Sequence, residues 1–285
     1  MKRKKMIKIK STHLLLYTVL LLFAFCALFP VVYTILGSFK STRELYSGIS
    51  FRPEKFVVEN YIKIWSETNV LIGLRNSLIL CATAIVSQLF TNTLTAYVLA
   101  RKKRQYKFVR IIDKIYTVSV FISLPVVTIY PIYRLIVGMG LNTSLLGLML
   151  LNFGGSVANV MLIKGNLMSI GSEIDEAAQI DGCSFFRIYW NIILPLLKPI
   201  MATITILTVR GVWNSYLMPM IITMGVDNLK PLSVAVVELR TSGHFAADIG
   251  VAYAGASISI VPLIIVYLCC NKYFVTGITA GAVKG

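Results

Sequence analysis

One apolar stretch of the chain carries Arg210, Trp213, Asn214 and Tyr216 within seven residues. An aromatic face can stack on the apolar face of a sugar ring while amides and hydroxyls bond its hydroxyl groups, so these side chains could line a path for a polyhydroxylated solute. Arg210 adds a charge, and an ionisable group inside an apolar span tends to face a bundle interior or a watery cavity. At helical spacing Arg210, Trp213 and Asn214 share one face, with Tyr216 about 60° or more away. A packing role suits the same residues equally: Trp213 in a core, Asn214 in an interhelical hydrogen bond, Arg210 as a snorkelling or paired charge. Gln88, Asn92 and Asn159 lie mid-span and read as interhelical hydrogen-bonding groups.

No constellation for covalent chemistry accompanies them. The chain has no G-x-x-x-x-G-K-[ST] phosphate cradle and no H-E-x-x-H, and its two histidines, His13 and His244, sit at segment edges. Its five cysteines have no metal-ligand spacing with histidine and fall in spans or on the cytoplasmic side, where disulfides are disfavoured. Neither a catalytic residue nor a metal site is expected.

The second candidate is the polar segment 171–195. Ser172 with Asp175 three residues on resembles a capping box, and Glu173, Asp175 and Glu176 suit a helix N-terminus. Asp181-Gly182 is a stop-and-turn signal, Ser184 can cap a second helix, and Pro195 is expected to bend the chain toward the next span. Phe185, Phe186, Tyr189 and Trp190 leave two uses open. The segment could lie in the headgroup layer as an amphipathic connection, or it could present Glu176 and the small Ala177 and Ala178 to a partner.

The elements that must position these residues are membrane spans. Of 285 residues 56% are hydrophobic and 14% charged, against the roughly 25% charged of soluble domains. Mean hydropathy is +0.76. A span needs about 20 apolar residues, because each backbone amide must be bonded within its own helix. Apolar runs give an all-α, polytopic fold with six spans at about 14–39, 76–100, 115–137, 144–163, 196–223 and 249–270. The third carries Arg134 at its end, and the fifth, the least apolar, carries Lys198 at its entry and Arg210 inside. The flanks are a basic tail at 1–13 and a C-terminal tail at 271–285. With both termini cytoplasmic, 18 Lys and Arg lie inside and 8 outside, as the positive-inside rule requires.

Of the +16 net charge, 12 units sit in the tail 1–13 and the loop 101–114. Anionic lipid is their expected partner; nucleic acid would require a folded basic domain that is absent. The basic start and apolar run imitate a secretory signal, but the run exceeds the length of such a core and stays as an anchor. Segment 40–75 reads either as an outer loop or as a membrane-lying stretch through Phe51, Phe56, Tyr61 and Trp65.

Three motifs converge on a family. Glu176-Ala177-Ala178, then Asp181-Gly182, then Ile192, Leu194 and Pro195 resemble the E-A-A-x3-G-x9-I-x-L-P loop by which permease subunits of binding-protein-dependent ABC importers dock onto their ATPase. Cys183 stands where a smaller residue is frequent. The stretch Trp213-Asn214 to Pro219 resembles the W-N-x-[aromatic]-x-x-P segment of sugar permeases. The end, Tyr273 to Gly285, resembles carbohydrate permeases similar to the second permease subunit of the maltose transporter, where it reaches toward the ATPases.

The resemblance implies an ABC-permease fold in a bacterial cytoplasmic membrane. It implies docking by Glu176, Ala177, Ala178, Asp181, Gly182, Ile192, Leu194 and Pro195, and an ATPase-facing tail with Gly281 and Lys284. The substrate path at Arg210, Trp213, Asn214 and Tyr216 remains a reading of the residues, since in the maltose-type relatives the partner permease holds most of the sugar site. The implied partners are a second homologous permease, two ATPase subunits that bind ATP and Mg in place of this chain, an extracytoplasmic sugar-binding protein facing 224–248, and a carbohydrate substrate. By composition alone the tail reads as a frayed end, and 224–248 as a connection. The competing class is an ATP-independent carrier or channel for a small polar solute. Secondary carriers usually hold buried acids for ion coupling, and no Asp or Glu falls in the six spans.

Overall fold

A computed structural model describes residues 11–122, 127–241 and 247–282. Among the described residues there is no strand. The chain begins with α1 (Ser11–Gly37), α2 (Thr42–Ser47), α3 (Glu59–Glu67) and α4 (Val70–Arg101). It continues through α5 (Lys107–Ser119), α6 (Ile129–Gly138), α7 (Leu145–Phe153), α8 (Val157–Ser169), α9 (Glu173–Ile180) and α10 (Phe185–Ile188). A π-helical turn at Tyr189–Ile193 leads to α11 (Leu194–Leu196), α12 (Lys198–Trp213), α13 (Leu217–Ile222), α14 (Leu232–Thr241) and α15 (Ile249–Ala282).

Among the described residues four segments are long and apolar enough to cross a membrane: Leu15–Gly37, Val70–Arg101, Leu145–Ser169 and Ile249–Cys269. A bent pair, Phe185–Leu196 with Lys198–Trp213, makes a fifth candidate. The four overlap expected spans 1, 2, 4 and 6, with bounds that differ by up to six residues. Expected span 3 is two helices, α5 ending at Ser119 and α6 starting at Ile129, with 123–126 outside the described residues. Helix α15 runs to Ala282, past the boundary at 270 that separated span from tail.

The fold divides into two units. In the first, formed by the chain up to Thr68 with Leu239–Ile260, the end of α1 packs so closely on α15 that a Cβ on Gly37 would lie 2.7 Å from the Tyr253 ring. The segment after α1 is fastened by polar groups: buried Asn60 donates to the carbonyls of Ser38 and Lys40, both at 2.9 Å. Lys40 Nζ reaches the Ser50 carbonyl and hydroxyl. Asp248 accepts from Lys63 Nζ at 2.7 Å and from the Thr42 hydroxyl. Burial raises the Asp248 carboxyl, but the Lys63 ammonium and the Thr42 hydroxyl outweigh it and hold it below the usual carboxylate value. The expectation that 40–75 lies on a membrane meets a folded segment, though Phe56 and Trp65 remain exposed.

The second unit, Asn69–Glu238 with the chain from Val261, is organised around α4. At 1.5 Å per residue its 32 residues span about 48 Å, more than a hydrocarbon core of about 30 Å, so one end must project beyond it. Helices α7, α8 and α12 pack along it. Small residues on its inward face (Gly73, Ser77, Ala84, Ala96) allow close approach, which substitutes for a hydrophobic driving force between helices in lipid. Gln88 makes interhelical bonds: its Nε2 donates to the Asn152 carbonyl and its Oε1 accepts from Thr208, both at 3.0 Å. These bonds fall beside the α7–α8 break, where Gly155 at φ +75° permits a turn that the Asn92 side chain closes off on the other side.

Candidate functional site

Segment 171–196 is a helix–turn–helix anchored on the Arg101 end of α4. Helix α9 stops in a Schellman turn: Cys183 N–H donates to the Ala178 carbonyl at 2.9 Å and Gly182 N–H to Gln179 at 3.0 Å, with Gly182 at φ +78°. The Asp181-Gly182 stop is thus where the sequence placed it. Ser184 caps α10 through the Arg187 N–H.

The capping box at the start of α9 does not form. Ser172 makes no side-chain cap and instead donates to Glu176 Oε1 at 3.0 Å. Asp175, read as a capping acid, turns inward and is 4% exposed. It accepts from the Tyr97 hydroxyl at 2.7 Å and pairs with Arg101 Nε at 2.9 Å. Arg101 Nη2 donates to the carbonyls of Ile170 and Gly171 at 2.9 and 3.1 Å. A buried carboxylate is tolerated when paired and hydrogen-bonded in this way.

The second half of the loop meets the same face of α4. Tyr189 and Thr93 share a hydrogen bond of 2.7 Å, Phe185 stacks on Tyr97 at 4.8 Å, and Trp190 lies against Phe90 at 6.2 Å. Thr93, Tyr97 and Arg101 recur every four residues, which aligns them on one side of the helix. Nothing in the loop's own sequence could reveal these partners, which lie more than 70 residues upstream. The signal available was the aromatic load and the surplus acid in α9, each in need of a place to go.

This inward traffic corrects part of the expected docking surface. Ala178 is buried and so holds the loop rather than offers it, while Ile192 and Leu194 are half-buried, packing in part against the core. Glu176, Ala177, Asp181, Gly182 and Pro195 are exposed. Beside them Ile180 is 87% exposed, an apolar residue the sequence reading passed over. The bend toward α12 is 77° and falls at Leu197, two residues beyond Pro195 and two before Pro199. Upstream of Pro195 the helix relaxes into a π turn, with the Leu194 N–H reaching the Tyr189 carbonyl.

A second buried charge group fixes the neighbouring α5: Asp113, 2% exposed, pairs with Lys103 at 2.5 Å and with Lys164 of α8. On the outer surface of α5, Phe108, Ile111 and Ile115 are exposed together with Lys107, Arg110 and Lys114.

The solute-path quartet is divided by the structure. Expected span 5 is not continuous: α12 ends at Trp213 and α13 starts at Leu217. The Arg210 carbonyl accepts from both the Asn214 backbone N–H at 3.2 Å and its Nδ2 at 2.9 Å, so Asn214 closes the last turn of α12. Pro219 cannot donate to the Ser215 carbonyl, which accepts from Ser233 at 2.6 Å instead. Trp213 is 5% exposed and so is withdrawn from any stacking role in this chain. Arg210 is exposed, not buried, and forms no ion pair among the described residues. It shares its surface with Gly211 and Asn214, while Tyr216 is half-buried. A cavity of about 220 Å³ opens beside this break, lined by Val212, Ser215, Met218, Pro219 and Asn152 among others. In the tail, Gly281 lies in the α15 backbone and Lys284 is outside the described residues.

An all-helical architecture among the described residues, with several helices apolar enough to cross a membrane and a polar loop fixed to the Arg101 end of α4, is that of a multi-pass membrane subunit. The profile of the family described as "Binding-protein-dependent transport system inner membrane component" matches residues 92–279. The chain belongs to that family, the permease subunits of ABC importers, and is a multi-pass protein of the bacterial inner membrane.

It is 34% identical over 255 residues, 90% of this chain and 91% of the other, to the probable starch degradation products transport system permease protein AmyC of Thermoanaerobacterium thermosulfurigenes. It is 28% identical to the melibiose/raffinose/stachyose import permease protein MelC of Bacillus subtilis, over 97% of this chain and 99% of that one. A chain from the crystal structure of a bacterial ABC transporter involved in the import of the acidic polysaccharide alginate shares the fold, with a TM-score of 0.81 over 95% of this chain and all of that one at 24% identity.

Proposed function

We infer that this subunit forms half of the pathway by which a carbohydrate, an oligosaccharide or sugar derivative, enters the cell, with a second homologous permease forming the other half. Two ATPase subunits bind ATP and Mg on the cytoplasmic side, and an extracytoplasmic binding protein delivers the sugar. Full-length relatives named for starch products and for melibiose, raffinose and stachyose support the cargo class.

The observation that carries the mechanism is the two-sided character of the 171–195 loop. Its inner side is consumed by α4, and its outer side presents Glu176, Ala177, Ile180 and Asp181. A small-residue apolar patch ringed by carboxylates fits a groove with basic edges, and a loop so held can transmit what it receives. Closure of the ATPases on ATP displaces the loop and biases the permease pair between two arrangements, since only a ligand with differential contacts in two states can shift them. Arg210, Asn214 and Tyr216 line the sugar path, and the exposed basic and apolar faces of α5 rest on anionic lipid of the inner leaflet.

The test is purification of the tagged chain from native membranes in mild detergent, with mass spectrometry of what remains bound. A homologous permease and a P-loop ATPase are expected, with the ATPase lost on Glu176→Lys. Recovery of the chain alone, under conditions in which a known ABC complex survives, overturns the reading in favour of a carrier or channel.

A further inference from the structure

We propose that α4 is the span the ATPases drive, and that Asp175 with Arg101 and Tyr97 is the positioning link carrying the motion from the docking loop into it; this rests on the docking reading above. The loop has three routes into the membrane domain. Two are covalent. One passes through Ile170–Ser172 into α8, where the backbone leaves helical geometry at Ile170. The other passes through the 77° bend at Leu197 into α12. A bend or a non-helical residue is a place where displacement is absorbed as a change of dihedral angle, so both are compliant.

The third route is made by side chains and has no such joint. Thr93, Tyr97 and Arg101 stand on one face of an uninterrupted helix and hold the loop at two points, Asp175 in its first helix and Tyr189 in its second. The ring of Tyr97 is itself gripped, stacked on Phe185 at 4.8 Å and tilted against Tyr189 at 5.6 Å. Asp175, Tyr97 and Tyr189 are all buried, so water cannot substitute for a lost contact when the loop is loaded. Arg101 fastens α8's trailing carbonyls at Ile170 and Gly171 to the same point, which ties the compliant first route to α4. Two-point attachment fixes orientation as well as position, so loop and helix rotate together.

The carboxylate is the economical place to cut this link. Asp175→Asn keeps the shape and an acceptor for Tyr97 but removes the charge that Arg101 holds. A role confined to folding would reduce the amount of complex and leave its coupling unchanged. A transmission role leaves the complex assembled and makes it waste ATP.

The experiment uses the complete complex, this permease with its partner permease, ATPase and binding protein, in proteoliposomes, and measures ATP hydrolysed per oligosaccharide imported. For Asp175→Asn the ATPase is expected to co-purify as in wild type while ATP consumed per sugar rises about tenfold, within the usual range of coupling between sites. Tyr97→Phe, which keeps the stacked ring, is expected to give a smaller rise of the same sign, and Asp175→Glu to recover most of the coupling. An unchanged ratio in both Asp175→Asn and Tyr97→Phe, with the ATPase bound, overturns the link while leaving docking intact. Failure of the wild-type chain to retain any ATPase overturns docking and the link together. If Asp175→Asn yields no complex, the ratio in Tyr97→Phe decides alone.

Discussion

The Arg101 end of α4 and the break between α12 and α13 both place charge in a predominantly apolar chain, and they treat it in opposite ways. At the first, Asp175 and Asp113 are buried and fully engaged, with Arg101 and Tyr97 on one and Lys103 and Lys164 on the other. At the second, Arg210 is exposed beside Asn214 with no counter-ion among the described residues. A charge satisfied inside its own chain serves to hold elements together. A charge left open in an apolar segment is costly where it meets lipid, so Arg210 calls for a watery cavity or a partner. The contrast separates charge that holds elements of this chain together from charge left on its surface.

Changes on the exposed side of the docking loop should have the largest effect on transport. Glu176→Lys reverses the charge offered to the ATPase. Gly182→Pro demands φ near −65° where the turn requires +78°. Both are expected to reduce uptake at least about 100-fold, the upper range of coupling between sites, with the chain still inserted in the membrane. Normal uptake by both would remove the docking role.

Next in size is Asp113→Ala, which strands the buried Lys164 ammonium. Breaking a buried pair from one side costs about 3–5 kcal/mol, so the yield and thermal stability of the purified subunit should fall sharply. A variant as stable as wild type would mean that the pair is not closed off from water.

Arg210→Ala should do the reverse, leaving stability and ATPase retention unchanged while lowering sugar uptake by about tenfold or more, the effect of deleting a charged hydrogen-bond donor to a ligand. If stability or assembly with the second permease falls instead, Arg210 belongs to the subunit interface and the sugar path lies elsewhere.

The smallest effect is expected in the first unit, where Asp248 is paired with Lys63 as the acids near α4 are paired with their bases. Its carboxyl is held below its ordinary value, so the stability it contributes is complete above about pH 4 and fades as pH falls toward the depressed value. Asp248→Asn should flatten that acid limb, measurable by thermal unfolding across pH 3–6. An unchanged limb would show that other carboxylates dominate it.

The membrane class of the protein was legible from its apolar runs, and the helix–turn–helix of 171–195 from residue types at short range: Asp181-Gly182 stops α9 and Ser184 starts α10 as read. Contacts made at long range were not. Asp175 looked like a capping acid because its partners, Tyr97 and Arg101, lie on a helix the loop's sequence does not mention. Ala178 looked like a surface residue because a motif records which residue types occur and not which way they face. Span 5 looked continuous because the apolar character of a run does not register Pro219, which cannot donate to the Ser215 carbonyl and leaves it to Ser233. The third expected span was likewise drawn through a point where α5 has already ended.

The most direct measurement is uptake of labelled oligosaccharide into proteoliposomes that contain the assembled complex, with ATP placed inside, outside or omitted. Uptake should require ATP on the ATPase side and the binding protein on the other, and Glu176→Lys should abolish it. Uptake that proceeds without ATP, or that survives Glu176→Lys undiminished, would contradict an ATP-driven importer working through the 171–195 loop and return the chain to the carrier or channel class.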